Sequence, residues 1–361
     1  MTKKLQLLGF LLAMLPALLS AQEAAGTLKS LRGQAMIERA GIKRQAKLGE
    51  SLFPKDRILT GADGYASVGL RDQSSLSIGP NSDVDLTKYS FNPTTHQGEQ
   101  QVRVRSGSLA GISGKLAKAS PEAVQFNAGT VTLGVRGTQF VAELQANSDN
   151  TGAMLLKDSQ QQFVRSGFGL CWQTGMASAG CPTPTDRFVL LPDRNGDVGA
   201  ITLSQEGKTV NVNLPFSGVE FGEQNVRVTQ YSESDLRSLY KDLLGTLPPG
   251  PKTFIVRFAA GSADQLTAGS QAVLEQIRKA IADWPVVANV DVVGHTDTTG
   301  KVEQNDALSI QRAQVVSRWL DAQTLSADRL HISGRGERQL LVQTPDETSE
   351  PQNRRVEITL Y

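Results

Sequence analysis

A carboxylate at Asp297 and a guanidinium at Arg312 are the side chains of this 361-residue sequence best placed for binding chemistry. They occur in the run Val293-Gly294-His295-Thr296-Asp297-Thr298-Thr299-Gly300, followed by Asn305, Leu308-Ser309 and Arg312-Ala313. Between Asn305 and Leu320 the apolar residues Leu308, Val315, Val316 and Trp319 recur at helical spacing, and Asn305 and Arg312 fall on the same inward stripe. A buried guanidinium is costly without a partner, and its fork of donors matches a carboxylate. Arg312 is therefore expected to meet either Asp297 or a ligand anion. One fixed cation and one fixed anion a few ångströms apart would hold a zwitterionic amino-acid end. The bland alternative is an internal ion pair between a turn aspartate and a helix arginine.

The flanking segments read as elements able to position such a pair. Phe254, Val256 and Phe258 alternate as a half-buried strand, Leu266, Val273, Ile277, Ile281 and Trp284 form a helical stripe, and Ala288, Val290 and Val292 alternate again. After the Asn305 helix come a short strand at Leu330 to Ser333 and a closing strand with Val356, Ile358 and Leu360 on one face. Two strand-then-helix units followed by two strands predict an α/β domain, a βαβαββ sheet with helices on one face. Asp297 then lies in a loop at the carboxyl end of a strand, where a ligand crevice opens.

Gly294-His295-Thr296-Asp297, Asn305, Leu308-Ser309, Arg312-Ala313 and a terminal Asn353-Arg354-Arg355-Val356-Glu357-Ile358 together resemble the OmpA-like peptidoglycan-binding domain, over residues 252 to 361. The resemblance implies that Asp297 and Arg312 hold the amino and carboxylate groups of diaminopimelate in peptidoglycan. Asn305, Thr299, Thr296 and the backbone of the Thr296 to Gly300 loop would be supporting contacts, and His295 a loop-packing residue. One departure is visible: where the family often carries an aspartate and a polar residue after the first strand, this chain has Ala259-Ala260-Gly261-Ser262.

Residues 1–21 read as a signal peptide, with Lys3 and Lys4 before an apolar run from Leu5 to Leu19 and a small-residue site at Ala21; an uncleaved anchor is the alternative. No cysteine follows the run, which argues against a lipid anchor, and no later apolar stretch approaches the roughly 20 residues of a membrane-spanning helix. Residues 26–145 carry short alternating runs such as Ala66 to Leu70, Ser75 to Ile78, Val102 to Val104 and Thr138 to Leu144, as in an all-β sandwich or roll. Gly49-Glu50, Asp56 to Thr60, Gly64, Leu70-Arg71-Asp72, Leu109 and Gly134-Val135-Arg136-Gly137-Thr138-Gln139-Phe140 resemble the FecR domain. That resemblance implies an exported module with an envelope protein partner.

Residues 146–215 read as a β-rich extension that includes Cys171 and Cys181, the chain's two cysteines, expected as a disulfide in an exported protein. Asp193, Asn195 and Asp197 alternate as in a calcium loop, but Val198 stands where glycine is needed, so turn chemistry is the reading. Within 216–251 an amphipathic helix is expected from Tyr231 to Leu244, then an exposed stiff linker, Thr246-Leu247-Pro248-Pro249-Gly250-Pro251.

A net charge of +1 gives no electrostatic case for nucleic acid. The basic residues Lys29, Arg32, Arg39, Lys43, Arg44 and Lys47 read as a solvated strand-and-turn face. Three separated histidines support neither a metal cluster nor a histidine triad, and no cofactor is implied. Gly207-Lys208-Thr209 lacks the upstream glycine of a phosphate loop. Ser238-Leu239-Tyr240-Lys241 lacks the companion motifs of penicillin-recognising enzymes. The expectation is a non-enzymatic periplasmic protein, peptidoglycan-associated, at the outer membrane of a Gram-negative cell. Its rivals are a FecR-type transmembrane signalling regulator and an outer-membrane protein with a wall-binding tail.

Overall fold

A computed structural model of the protein describes residues 23–144, 186–221, 226–320 and 329–361. The expected signal peptide and the Cys171–Cys181 pair lie outside these residues. The N-terminal region is organised by one long strand, Gly98–Ile112. Its first half joins Asp83–Phe91 and, in parallel, Val124–Ala128; its second half joins Ser75–Ile78 and Gln139–Leu144. The crossing point is Gly107, at φ +80, where a Cβ would come within 2.2 Å of Ser82 Oγ. Two sheets therefore share a strand and close on a core that includes Leu28, Ile37, Leu70, Val104, Phe126 and Phe140. The strands Tyr65–Leu70, Ser75–Ile78 and Gln139–Leu144 lie where alternation placed them.

The stretch set apart as an extension supplies strands to both sheets. Asp186–Leu191 pairs antiparallel with Gln139–Leu144, and Ala200–Gln205 with Val131–Arg136, sending Phe188, Leu190, Ile201 and Leu203 into the same core. Between them the Asp193 carboxylate accepts the N–H groups of Asn195 at 2.8 Å and Asp197 at 3.0 Å, a turn capped by its own side chain.

The expected single helix from Tyr231 to Leu244 is two, Glu233–Leu239 and Lys241–Gly245, broken where Tyr240 leaves helical geometry at ψ 21. Packing explains the break: Leu236, Tyr240 and Leu243 are all buried against Ala110, Val141 and Val189 on the outside of one sheet, and the Tyr240 hydroxyl reaches Glu143 at 3.0 Å. The proline linker is likewise not free. Pro248 is buried and its carbonyl accepts from Arg194, because the two prolines continue the apolar strip begun by Leu243, Leu244 and Leu247.

The C-terminal domain follows the expected order: β1 (Lys252–Arg257), α1 (Ser270–Ala282), β2 (Val290–Gly294), α2 (Val302–Trp319), β3 (Leu330–Gly334) and β4 (Arg355–Leu360). Across the sheet the order is β1-β4-β2-β3, with only the β2–β3 pair parallel. Val256, Val290, Val292, Val356 and Ile358 pack against Leu274 and Ile277 of α1 and Ala313 and Val316 of α2. The α2 stripe departs from the expected one: Asn305, Ser309, Arg312, Ala313 and Val316 are buried, while Trp319 is exposed. Small residues take the inner face because the helix lies very close to the strand ends. A Cβ on Gly294 would come within 1.8 Å of the Ser309 carbonyl oxygen, and one on Gly334 within 2.3 Å of Ser309 Oγ.

The opposite face of this sheet docks on the sandwich through Lys29, which is 1% exposed and so not part of a solvated basic face. Pairing of Gly26–Arg32 with Tyr65–Leu70 slips between Leu28 and Ser30, leaving Lys29 as the extra residue of a bulge that re-aims its side chain. The chain passes over Gly69, where a Cβ would lie 2.4 Å from Lys29 Cε, and its amine donates to the main-chain oxygens of Val287 at 2.9 Å and Tyr361 at 2.7 Å. Burial, reinforced by Arg329 and opposed by Asp291, pulls the amine down to about 7. Gln73 adds a bond of 2.7 Å to Asp291. Lys29→Ala leaves the Val287 oxygen unmet and the Tyr361 oxygen with only the Asn289 N–H, and is expected to destabilise the docked state by about 1–3 kcal/mol. Calorimetry should show the C-terminal domain melting ahead of the sandwich in this variant; one unchanged transition would refute the latch.

Candidate functional site

Arg312 and Asp297 meet at the carboxyl ends of β2 and β3, but not as a pair. Arg312 is fully buried, with Nε donating to the Ser262 carbonyl at 2.9 Å, Nη1 to the His295 carbonyl at 3.0 Å and Nη2 toward the Ala259 carbonyl at 3.5 Å. The expected carboxylate partner is thus replaced by three main-chain oxygens. The Ala259 to Ser262 turn, whose side chains depart from the family pattern, serves this arginine through its backbone. Backbone acceptors carry no net charge, so the cation is hydrogen-bonded without being neutralised. Burial pulls Arg312 down to about 10, with Asp297 opposing and Arg354 adding to the shift.

Asp297 pairs instead with Arg354, Nη1 to Oδ2 at 2.8 Å with both side chains largely buried. The Glu350 N–H points at the same oxygen at 3.3 Å. Two guanidinium groups and one carboxylate therefore lie together, with the Glu337 and Glu347 carboxylates on the loops beside them. Arg354 was visible in the sequence as the first arginine of Asn353-Arg354-Arg355, but nothing in that spacing connects it to a loop 57 residues earlier.

The supporting residues take separate roles. Asn305 donates through Nδ2 to Glu337 at 2.6 Å and to the Thr299 carbonyl at 3.2 Å, fixing the loop to the start of α2. Thr299 contributes that carbonyl while the residue itself is exposed. Thr296 donates its N–H to Gly336, and its buried hydroxyl has no hydrogen-bond partner among the described residues. Thr298 was not singled out, yet its hydroxyl donates to the Pro345 carbonyl at 2.7 Å and accepts the Thr348 N–H at 3.1 Å, holding the 344–350 loop against the site. Asn353 closes that loop by accepting the Leu341 and Val342 N–H groups. Ser309 caps Gly336, accepting its N–H at 3.0 Å. His295 is 0% exposed beneath the loop.

Residues 257–354 match the OmpA family, and residues 56–158 match FecR protein. A probable lipoprotein YiaD of Escherichia coli K12 is 36% identical over 105 residues, 29% of this chain and 47% of that protein. An outer membrane protein of Gluconacetobacter diazotrophicus is 34% identical over 120 residues, 32% of this chain and 31% of that one. The chain thus spans less than half the length of these relatives. Among solved structures, the peptidoglycan-associated lipoprotein of Burkholderia pseudomallei is 27% identical, covering 30% of this chain and 89% of that one with a TM-score of 0.27. The cell wall anchor of the T6SS from Pseudomonas aeruginosa is 30% identical, covering 31% and 81%, with a TM-score of 0.26.

The buried histidine makes a pH test of the site's foundation. Burial, Arg355 and Arg335 lower His295 from 6.5 to about 3. The unfolded chain takes up a proton near 6.5 that the folded protein refuses until about 3, so His295 contributes full stability above 6.5 and loses it as pH falls through that window. The loss should approach about 1.4 kcal/mol per pH unit. His295→Gln should flatten the pH dependence of urea unfolding between these limits relative to wild type, whatever its effect at neutral pH; an unchanged slope would remove His295 from this account.

Proposed function

We propose that this chain, an OmpA-like domain joined to a FecR-like sandwich, is a non-enzymatic cell-envelope protein that binds diaminopimelate-type peptidoglycan through its C-terminal domain. The domain is taken as residues 252–361, and the envelope location follows from the same likenesses. The observation that carries the reading is the convergence of Arg312, Asp297 and Arg354 behind an exposed Thr299-Gly300 rim. Diaminopimelate brings an ammonium and a carboxylate on one carbon. The ammonium suits Asp297, whose two contacts both fall on Oδ2, and the carboxylate suits the guanidinium that lacks an anionic partner. Asn305, Thr296 and Thr299 hold the loop that aligns them. The sandwich, in this reading, presents its surface to another envelope component.

Arg312→Ala would take a donor from three main-chain oxygens and confound binding with folding, so the informative variants are Asp297→Asn and Arg312→Lys. Each should weaken co-sedimentation with purified diaminopimelate-type sacculi by roughly thirty-fold or more, the cost of breaking a desolvated charge contact. Arg312→Lys fails because an ammonium cannot reproduce the fork. Lysine-type walls, which lack the second carboxylate, should not retain the wild-type protein. Equal retention of folded variants and wild type would place any wall contact elsewhere.

A further inference from the structure

A second concavity lies on the far side of the C-terminal sheet, where the sandwich meets β2 and β3. It encloses about 200 Å3. Arg71 and Lys115 enter it from the sandwich, His331 and Ser333 from β3, and Phe91 and Ile332 supply apolar wall. The one acid in the lining, Asp291, is already engaged: Oδ2 accepts from Gln73 at 2.7 Å and Oδ1 from the Tyr361 hydroxyl at 3.1 Å. Lys115 Nζ stands 3.8 Å from Asp291, beyond hydrogen-bond reach, and burial lowers its pKa. Arg71 is largely buried, and its carboxylate partner, Glu23, is 71% exposed and so displaceable by a ligand anion. Two cations, one facing an exposed carboxylate and the other a carboxylate already engaged elsewhere, beside an apolar wall, describe a pocket for an anionic head on an apolar body.

We propose that this cleft is a second binding site, for a small organic carboxylate carrying an apolar ring or chain. The carboxylate would bridge Lys115 and Arg71, and the apolar part would rest on Phe91 and Ile332. Because its walls come from both domains, occupancy would reinforce the docking that Lys29 establishes.

Benzoate is a suitable probe on the full chain, with benzamidine as the charge-reversed control. Benzoate at tenfold its dissociation constant should raise the unfolding midpoint by roughly 2–4 °C. The shift should vanish in Lys115→Met, persist in Asp297→Asn, and be absent with benzamidine. No shift in wild type, an equal shift in Lys115→Met, or a shift with benzamidine instead would overturn the assignment. Should Lys115→Met not fold, Arg71→Met and the wild-type amide resonances of Ile332 and Ser333 decide: benzoate must move those resonances, and their constancy would equally sink the proposal.

Discussion

A guanidinium with no exposure to solvent has to find acceptors from the protein, and in the C-terminal domain this requirement organises everything around Arg312. Its three acceptors come from the turn after β1 and the end of β2, while the arginine itself rides on α2. Those segments can converge only if the helix settles almost onto the strand ends. Gly294 and Gly334 permit it and Ser309 fills the narrow gap. The Gly-His-Thr-Asp and Leu-Ser patterns thus express one geometric condition. Asp297 and Arg354 then complete a cluster in which Arg312 is held by main-chain oxygens rather than by a carboxylate, which is the physical basis of its proposed appetite for a zwitterion.

The sheet of this domain has two faces, and they are managed differently. One is apolar and closed by α1 and α2. The other carries Asp291, Thr359 and Tyr361, polar groups that open water would solvate readily, yet here they are buried against the sandwich. Such a contact is sustained by hydrogen bonds rather than by apolar area. The bulged Lys29 is the clearest case, since its buried amine donates to two main-chain oxygens. With the helices on one side and the sandwich on the other, the strand-end loops near Thr299 and Gly300 remain the exposed rim.

The sandwich shows how connection and core can be separated in sequence. Its long shared strand turns at Gly107, and strands beyond residue 186 return to finish sheets begun before residue 145. The helical connector and the proline strip then cover the outside of one sheet. What reads as a linker behaves as a cladding layer, and this couples the two domains more closely than a flexible tether would.

Element identity in the C-terminal domain was legible from periodicity alone, because Val256, Phe258, Val290, Val292, Val356 and Ile358 alternate and the helical stripes bury one side. The inward placement of Asn305 and Arg312 was legible too, and charged and amide groups on an inward stripe demand partners. Who those partners are was decided only in three dimensions. Arg312 is satisfied by backbone oxygens, which have no sequence signature, and Asp297 by Arg354, brought near by the β4–β2 pairing. The same holds for Lys29: a single slipped residue in a strand pair turns a side chain from solvent to interior, and register is a property of two strands rather than of either one.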